Sequence, residues 1–139
     1  MPESGEFSWP IRVYYEDTDS GGVVYYANYL KFMERARTEW LRTLGFEQDA
    51  LLREEGVIFA VREISLDFLK PAHFNQLLHV TVKLIERGHA SLAFEQQVRA
   101  AQAGPVHCAG RVRLACLNHA TLRACAIPKT ITGELCLDL

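Results

Sequence analysis

The sequence has no excess of basic residues, no long apolar run and no secretory leader. Its formal net charge is −2 over 139 residues, so it lacks the basic field that favours nucleic acid. No apolar run approaches the roughly 18 residues that a membrane span requires, and residues 1–6 lack the basic and apolar regions of a leader. We therefore expect a cytoplasmic protein with no nucleic-acid partner and no integral membrane segment.

Metal and disulfide signals are also missing. The four cysteines, Cys108, Cys116, Cys125 and Cys136, form no C-x-x-C pair and have no histidine at zinc-finger spacing. The first two fall in one predicted strand, where about 3.3 Å per residue separates them by roughly 26 Å, too far for a disulfide. We expect reduced thiols, no metal site and no cofactor. The chain also lacks the G-x-S-x-G motif of many serine hydrolases.

Periodicity divides the chain into one long helix and several strands. Apolar residues at three- and four-residue steps predict an amphipathic helix over 26–44, and Gly45 follows it as a cap. A second short helix is predicted over 46–53, ending near Gly56, with a terminal helical turn at 128–135. Period-two patterns predict the strands, which span 7–15, 57–68, 77–86, 91–101 and 106–117.

This order predicts an α+β fold in one domain, 1–139. The last three strands are joined by short turns and form an antiparallel meander, with one helix packed on one sheet. With 49% hydrophobic residues, the chain is long enough for its own core. One helix cannot cover a sheet this long, so we expect a homodimer whose sheets join edge to edge, with the active clefts at the subunit boundary.

Arg37 interrupts the apolar stripe of the predicted helix. At 100° per residue it falls in the middle of that stripe. The structural interpretation is that its aliphatic stem packs while its guanidinium reaches a helix end or pairs with a carboxylate. The candidate partners are Glu34, Glu63 and Asp67.

An acidic, glycine-bearing turn joins the first predicted strand to the long helix. It contains Asp17, Asp19, Gly21 and Gly22. A carboxylate just before a helix lies beside backbone N–H groups that have no partner within the helix, and such groups can polarise a substrate carbonyl. The alternative is that Asp19 only caps the helix or stabilises the turn.

Two segments of the chain, 15–29 and 34–39, resemble hotdog-fold thioesterases of the 4-hydroxybenzoyl-CoA thioesterase class. Their sequences are YEDTDSGGVVYYANY and ERARTE, and the resemblance is closest to the YbgC-type acyl-CoA thioesterases associated with the Tol–Pal system. It implies a long central helix packed on a five- or six-stranded antiparallel sheet, a homodimer or homotetramer, and no metal. It also implies hydrolysis of acyl-CoA, with acyl carrier protein as a possible alternative thioester carrier.

Carried over by this resemblance, Asp19 is the catalytic carboxylate and the backbone N–H at Tyr26 faces the thioester carbonyl. Relatives often have histidine where this chain has Tyr26, so no imidazole is expected there. Whether the carboxylate attacks directly or activates water stays open. Asp17 and Glu16 are interpreted as turn and solvent residues.

Two further questions stay open at this stage. Tyr25 and Tyr29 are candidates for contact with the acyl substrate, but tyrosines at a strand-helix joint are as often part of the core. The fold also serves acyl dehydratases, for which we expect a histidine in the active segment, and it is compatible with a non-catalytic acyl-binding or scaffold protein.

Overall fold

The computed structural model describes residues 6–101 and 103–135, so Cys136 and position 102 of a predicted turn lie outside it. The longer elements are β1 Phe7–Arg12, α1 Asn28–Thr43, α2 Gln48–Glu55, β2 Val57–Phe68, β3 Leu77–Arg87, β4 Ser91–Arg99 and β5 Val106–Asn118. A short helix, α3, spans Lys129–Thr132. None of the helices in the described ranges is long and apolar enough to cross a bilayer.

The five strands form one antiparallel sheet in the order β1-β3-β4-β5-β2. The predicted meander of the last three strands is therefore confirmed, and α1 packs mainly against β3 and β1. β1 and β2 are the two edges of the described sheet. Pro10 lies in β1 opposite His79, where an edge position tolerates its missing N–H.

The first strand is shorter than predicted. It ends at Arg12, and Tyr15–Asp17 forms a single 3₁₀ turn. The Asp17 carboxylate accepts the backbone N–H of Tyr14 at 2.8 Å. This local side-chain bond gives the backbone an alternative to a strand ladder, which explains the early end of β1.

The long helix begins two residues later than predicted. Tyr26 precedes α1 and is 60% exposed, and Leu30 lies at the flank of the helix. Phe32 on the same helix is fully buried. The buried row on α1 therefore follows steps of three and four residues from Tyr29 through Phe32 to Trp40.

Both predicted glycine caps are confirmed. Gly45 has φ +96° and Gly56 has φ +69°, a left-handed conformation that glycine adopts without a Cβ penalty. The N–H of Gly45 bonds to the carbonyl of Arg42, and that of Gly56 bonds to the carbonyl of Leu52. Gly45 therefore ends α1 ahead of α2, and Gly56 ends α2 and turns the chain into β2.

Arg37 is buried between α1 and the sheet, but its partner is not a carboxylate. Its Nη1 donates to Oε1 of Gln96 on β4 at 2.9 Å. The Gln96 amide in turn donates to the carbonyls of Met33 and Thr81. The predicted ion pair is therefore wrong, because Gln96 occupies the face of β4 that packs on the helix and offers an acceptor there.

The described cysteines are free thiols, as predicted. Burial raises the pKa of Cys108 to about 11 and that of Cys116 to about 12. The sulfur of Cys116 lies 3.8 Å from that of Cys125, well beyond the length of a disulfide bond. These side chains therefore act as small apolar groups in the core.

Gly110 on β5 provides a test of the sheet packing. A Cβ at this position would lie 2.8 Å from the carbonyl oxygen of Ser65 and 2.5 Å from a methyl of Leu66 on β2. We predict that Gly110→Ala lowers the free energy of unfolding by about 1–3 kcal/mol through overpacking, measured by urea denaturation.

Gly133 is the matched control for this substitution. Its φ is −67°, and the nearest atom to an added Cβ is 3.4 Å away. Gly133→Ala is expected to change the free energy of unfolding by less than about 0.5 kcal/mol. Equal stability of the two variants would contradict the packing of Gly110 against β2.

Candidate active site

The turn that carries Asp19 is a small hairpin. The N–H of Asp19 bonds to the carbonyl of Val23 at 2.9 Å, and the N–H of Gly22 bonds back to the carbonyl of Asp19 at 3.1 Å. Thr18 and Val24 form an antiparallel bridge at its base. Gly22 has φ +80°, which a residue with a Cβ resists. The hairpin therefore presents Asp19 on a defined backbone.

The Asp19 carboxylate is exposed and only half engaged. Its Oδ1 accepts the N–H of Gly21 at 2.8 Å, which is the turn-stabilising role considered above. Oδ2 has no hydrogen-bond partner within the part of the chain that the structure describes. The Gly21 bond orients the carboxylate, and Oδ2 stays accessible to solvent or substrate. Among residues 6–101 and 103–135, no group of three His, Cys, Asp or Glu side chains is placed to hold a metal ion.

Asp17 has a different, structural role. It is buried, and besides the bond from Tyr14 to its carboxylate, its backbone carbonyl accepts the N–H of Tyr25 at 2.9 Å and the side-chain amide of Asn28 at 2.8 Å. Asp17 thus ties the end of the first strand to the start of α1. This agrees with its interpretation as a turn residue, and neighbouring Glu16 is exposed.

The start of α1 retains unused hydrogen-bond donors. Ala27 at the N-cap makes no side-chain capping bond, and the first turn contains no acidic residue. No oxygen in the described ranges accepts the N–H of Tyr26 or of Ala27. The helix macrodipole adds partial positive charge at this end. An oxygen that develops negative charge at Tyr26 would be stabilised by these groups.

The candidate tyrosines lie in different environments. Tyr25 is 46% exposed, and its ring centroid lies 4.8 Å from that of Tyr26. Tyr29 is only 3% exposed. Phe68 at the end of β2, which the sequence did not single out, lies 5.9 Å from the rings of both Tyr26 and Tyr29. Contact of Tyr25 or Tyr29 with substrate stays a prediction.

Two of these phenols have shifted pKa values. The hydrogen bond with Tyr26, followed by its charge, raises the pKa of Tyr25. Burial raises the pKa of Tyr29. Both phenols are therefore neutral at physiological pH, where they act as hydrogen-bonding and packing groups.

Residues 69–76 support the hairpin from behind. The N–H of Val24 bonds to the carbonyl of Ala72 at 2.8 Å, and the N–H of Phe74 bonds to the carbonyl of Gly22 at 3.3 Å. Val23 and His73 form an antiparallel bridge. The position of the Asp19 hairpin therefore depends on this connection between β2 and β3.

His107 on β5 anchors that connection. It is buried, with Nδ1 3.0 Å from the carbonyl of Lys70 and Nε2 3.2 Å from the amide nitrogen of Gln76. Nδ1 must carry the proton to donate to the carbonyl, and Nε2 then accepts from the amide. The sequence does not reveal this role, because the partners lie 37 and 31 residues away.

Comparison with known proteins agrees with this geometry. Residues 13–135 match the sequence profile of the Thioesterase-like superfamily. The acyl-CoA thioesterase YbgC of Haemophilus influenzae is 43% identical over 125 residues, which is 90% of each chain. The acyl-CoA thioester hydrolase YbgC of Escherichia coli is 41% identical over 128 residues, covering 92% of this chain and 94% of that protein.

The three-dimensional comparison gives the same result. A probable thioesterase from Bartonella henselae superposes with a TM-score of 0.83 and 32% identity, covering 88% of this chain and 99% of that one. The family match over residues 13–135 includes the turn, α1 and the strands β2 to β5. The chain is a member of the thioesterase-like superfamily, in its YbgC-type group of hotdog-fold thioesterases.

Proposed function

We propose that this chain hydrolyses the thioester bond of acyl-CoA, releasing a free acid and the coenzyme A thiol. Asp19 is the proposed catalytic carboxylate, and the backbone N–H of Tyr26 is the proposed donor to the thioester carbonyl. The observation that carries this proposal is the N–H of Tyr26, which has no acceptor among the described residues and lies at a helix start without a side-chain cap, close in sequence to an exposed carboxylate. The two YbgC relatives are named as acyl-CoA thioesterases.

The chemistry requires stabilisation of one developing charge. When a nucleophile attacks the thioester carbon, the carbonyl oxygen becomes an oxyanion, and a fixed N–H at Tyr26 lowers the energy of that state. The donor is already oriented by α1, so little reorganisation accompanies the reaction. Collapse of the oxyanion then breaks the carbon-sulfur bond and releases the thiolate.

Asp19 has two possible uses in this scheme. In one, Oδ2 attacks the thioester carbon and forms an acyl anhydride, which water then hydrolyses. In the other, Oδ2 removes a proton from a water molecule as that water attacks. Both routes use the carboxylate oxygen for which the described residues supply no partner, and both give the same acid and thiol.

Two alternatives are distinguished by product analysis. An acyl dehydratase would interconvert hydroxyacyl-CoA and enoyl-CoA without thiol release, and a binding or scaffold protein would protect the thioester. The backbone of His73 adjoins the hairpin at Val23, so a histidine does lie near the segment, although not at the helix start. Free thiol measured over a panel of acyl-CoA and acyl carrier protein substrates separates these functions. A cytoplasmic location of the protein stays a prediction.

Asp19→Asn tests the proposed catalytic carboxylate. Asp19→Asn removes the ionised carboxylate while its amide oxygen can still accept the Gly21 N–H, so folding is preserved. We expect kcat to fall at least about 100-fold, the usual order for loss of a catalytic base or nucleophile, as measured by thiol release from a short acyl-CoA.

Glu16→Gln is the control, because it neutralises an exposed carboxylate three residues away. It should retain kcat within about twofold, since surface substitutions of this kind have small effects. A folded Asp19→Asn enzyme with parental activity would exclude Asp19 from the chemistry.

Two substitutions at Tyr26 separate the role of its main-chain N–H from that of its side chain. Tyr26→Phe keeps the N–H and should retain most activity. Tyr26→Pro deletes the N–H, while the position just before α1 tolerates proline, and it should lower kcat about 100-fold or more. Thermal denaturation confirms that both variants fold. Loss of activity in a folded Tyr26→Phe enzyme would assign the role to the phenol instead.

We also propose that the active form is a homo-oligomer assembled through β2. This strand is an edge of the sheet, and its side chains Val61, Ile64 and Phe68 are exposed. An edge strand of 12 residues with apolar side chains is suited to pairing with a second copy. Phe68 at its end touches Tyr26, so pairing there would place the partner beside the candidate site.

A charged substitution on β2 tests this assembly. Ile64→Lys introduces a charge on β2 and should shift the mass measured by light scattering towards the monomer, with a parallel loss of thioesterase activity. Leu122→Lys, at an exposed apolar residue outside the sheet, should change neither property. A parental chain that is fully active as a monomer under assay conditions would refute the proposal.

A further inference from the structure

A cavity of about 210 Å³ lies beside the second half of α1, and none of its lining residues belongs to the Asp19 hairpin. It is open to solvent on one side and is lined by α1, the start of α2 and the strands β2, β4 and β5. Its walls are mainly apolar and include Trp40, Phe59, Leu92, Phe94 and Leu114. At 1.5 Å per residue, Arg37 on its lining lies about 13 Å along α1 from Asn28.

The cavity has one buried cation on its lining. Arg37 is 8% exposed, and burial lowers the pKa of its guanidinium, although arginine remains charged in proteins. Of its five N–H donors, one is used in the bond to Gln96. No carboxylate lies within 4 Å of Arg37 in the described ranges. A buried charge with only a neutral partner is costly unless something else compensates it.

The nearest acid does not supply that compensation directly. Glu34 also lines the cavity, and its charge raises the pKa of Arg37, opposing the effect of burial. Its Oε2 accepts the hydroxyl of Thr38 at 2.6 Å, and the amide of Gln48 donates to that hydroxyl at 3.4 Å. Glu34 is therefore held by hydrogen bonds that involve Thr38 and Gln48. The remaining N–H donors of Arg37 have no acceptor among the described residues.

Gln96 gives the guanidinium a fixed position. Its amide nitrogen is used by the carbonyls of Met33 and Thr81, at 3.0 and 3.2 Å, so its oxygen must point at Arg37. A guanidinium held in this way is preorganised to donate further hydrogen bonds. Donors of this kind match the two oxygens of a carboxylate.

We propose that this cavity is a binding site for a small carboxylic acid with an aryl or alkyl body. The carboxylate accepts hydrogen bonds from Arg37, and the body fills the space between Trp40, Phe59 and Phe94. The volume fits this class, because an apolar cavity of about 150 Å³ holds benzene and the additional space accommodates one carboxylate. Neither Asp19 nor Tyr26 lines the cavity, but Phe59 and Val61 of β2 do, so the site adjoins the edge through which we propose that the chain assembles.

Benzoate and its neutral isostere benzamide test the proposal on the parental protein. Binding is measured by calorimetry and, in a Trp9→Phe background, by the fluorescence of Trp40. We expect saturable benzoate binding and at least about tenfold weaker binding of benzamide, as for loss of a charged hydrogen bond. Equal affinity for the two compounds would overturn the proposal. The proposal would also be overturned if no benzoate binding is seen below about 10 mM. That result is expected if a partner subunit already bonds to Arg37.

Arg37→Met tests the residue itself, because it keeps an unbranched apolar stem without the guanidinium. Benzoate affinity should fall at least about tenfold, while Arg42→Met, at an exposed arginine of the same helix, should leave it unchanged. Urea denaturation shows whether each variant folds. If Arg37→Met does not fold, the comparison of benzoate with benzamide on the parental protein decides whether the proposal holds. Parental benzoate affinity in folded Arg37→Met would exclude Arg37 from the site.

Discussion

The candidate site depends on the hydrogen bonds of Asp17. Its carboxylate accepts the N–H of Tyr14, and its carbonyl accepts both the N–H of Tyr25 and the amide of Asn28. One buried residue therefore connects the end of the first strand, the hairpin and the start of α1. Because a buried acceptor that loses its donor is costly, this arrangement resists distortion. The neighbouring Asp19 makes none of these bonds, and its Oδ2 has no hydrogen-bond partner among the described residues.

The same constraint leaves the start of α1 open. A helix usually satisfies its first N–H groups with a capping side chain, but here the Asn28 amide points to Asp17 and Ala27 cannot cap. The N–H groups of Asn28, Tyr29 and Leu30 bond instead to the carbonyls of the preceding turn, and no acceptor for the N–H of Tyr26 is found in the part of the chain that the structure describes. Behind the hairpin, His107 holds the connection that pairs with Val23, so the buried residues Asp17, Asn28 and His107 together position this surface.

Polar residues also distinguish the two ends of α1. Near its start lie the N–H groups of Tyr26 and Ala27, for which no acceptor is found among the described residues, and we propose that they act with the exposed Asp19 carboxylate on a carbonyl. Further along, the guanidinium of Arg37 meets the Gln96 amide at the edge of an apolar cavity, which suits an anion. A single amphipathic helix thus contributes to two chemically different surfaces, because its buried face is not uniformly apolar.

The sequence by itself determined the elements whose signals are local. The bounds of β2 and the caps at Gly45 and Gly56 follow from period and backbone conformation, and the role proposed for Asp19 came from a family motif. The end of β1 depends on a local bond between Asp17 and Tyr14, whereas the partner of Arg37 and the anchoring role of His107 were decided only by the tertiary structure. Each of these depends on a specific hydrogen bond, and for the last two the partners lie 31 to 59 residues away. Such a bond leaves no trace in local periodicity.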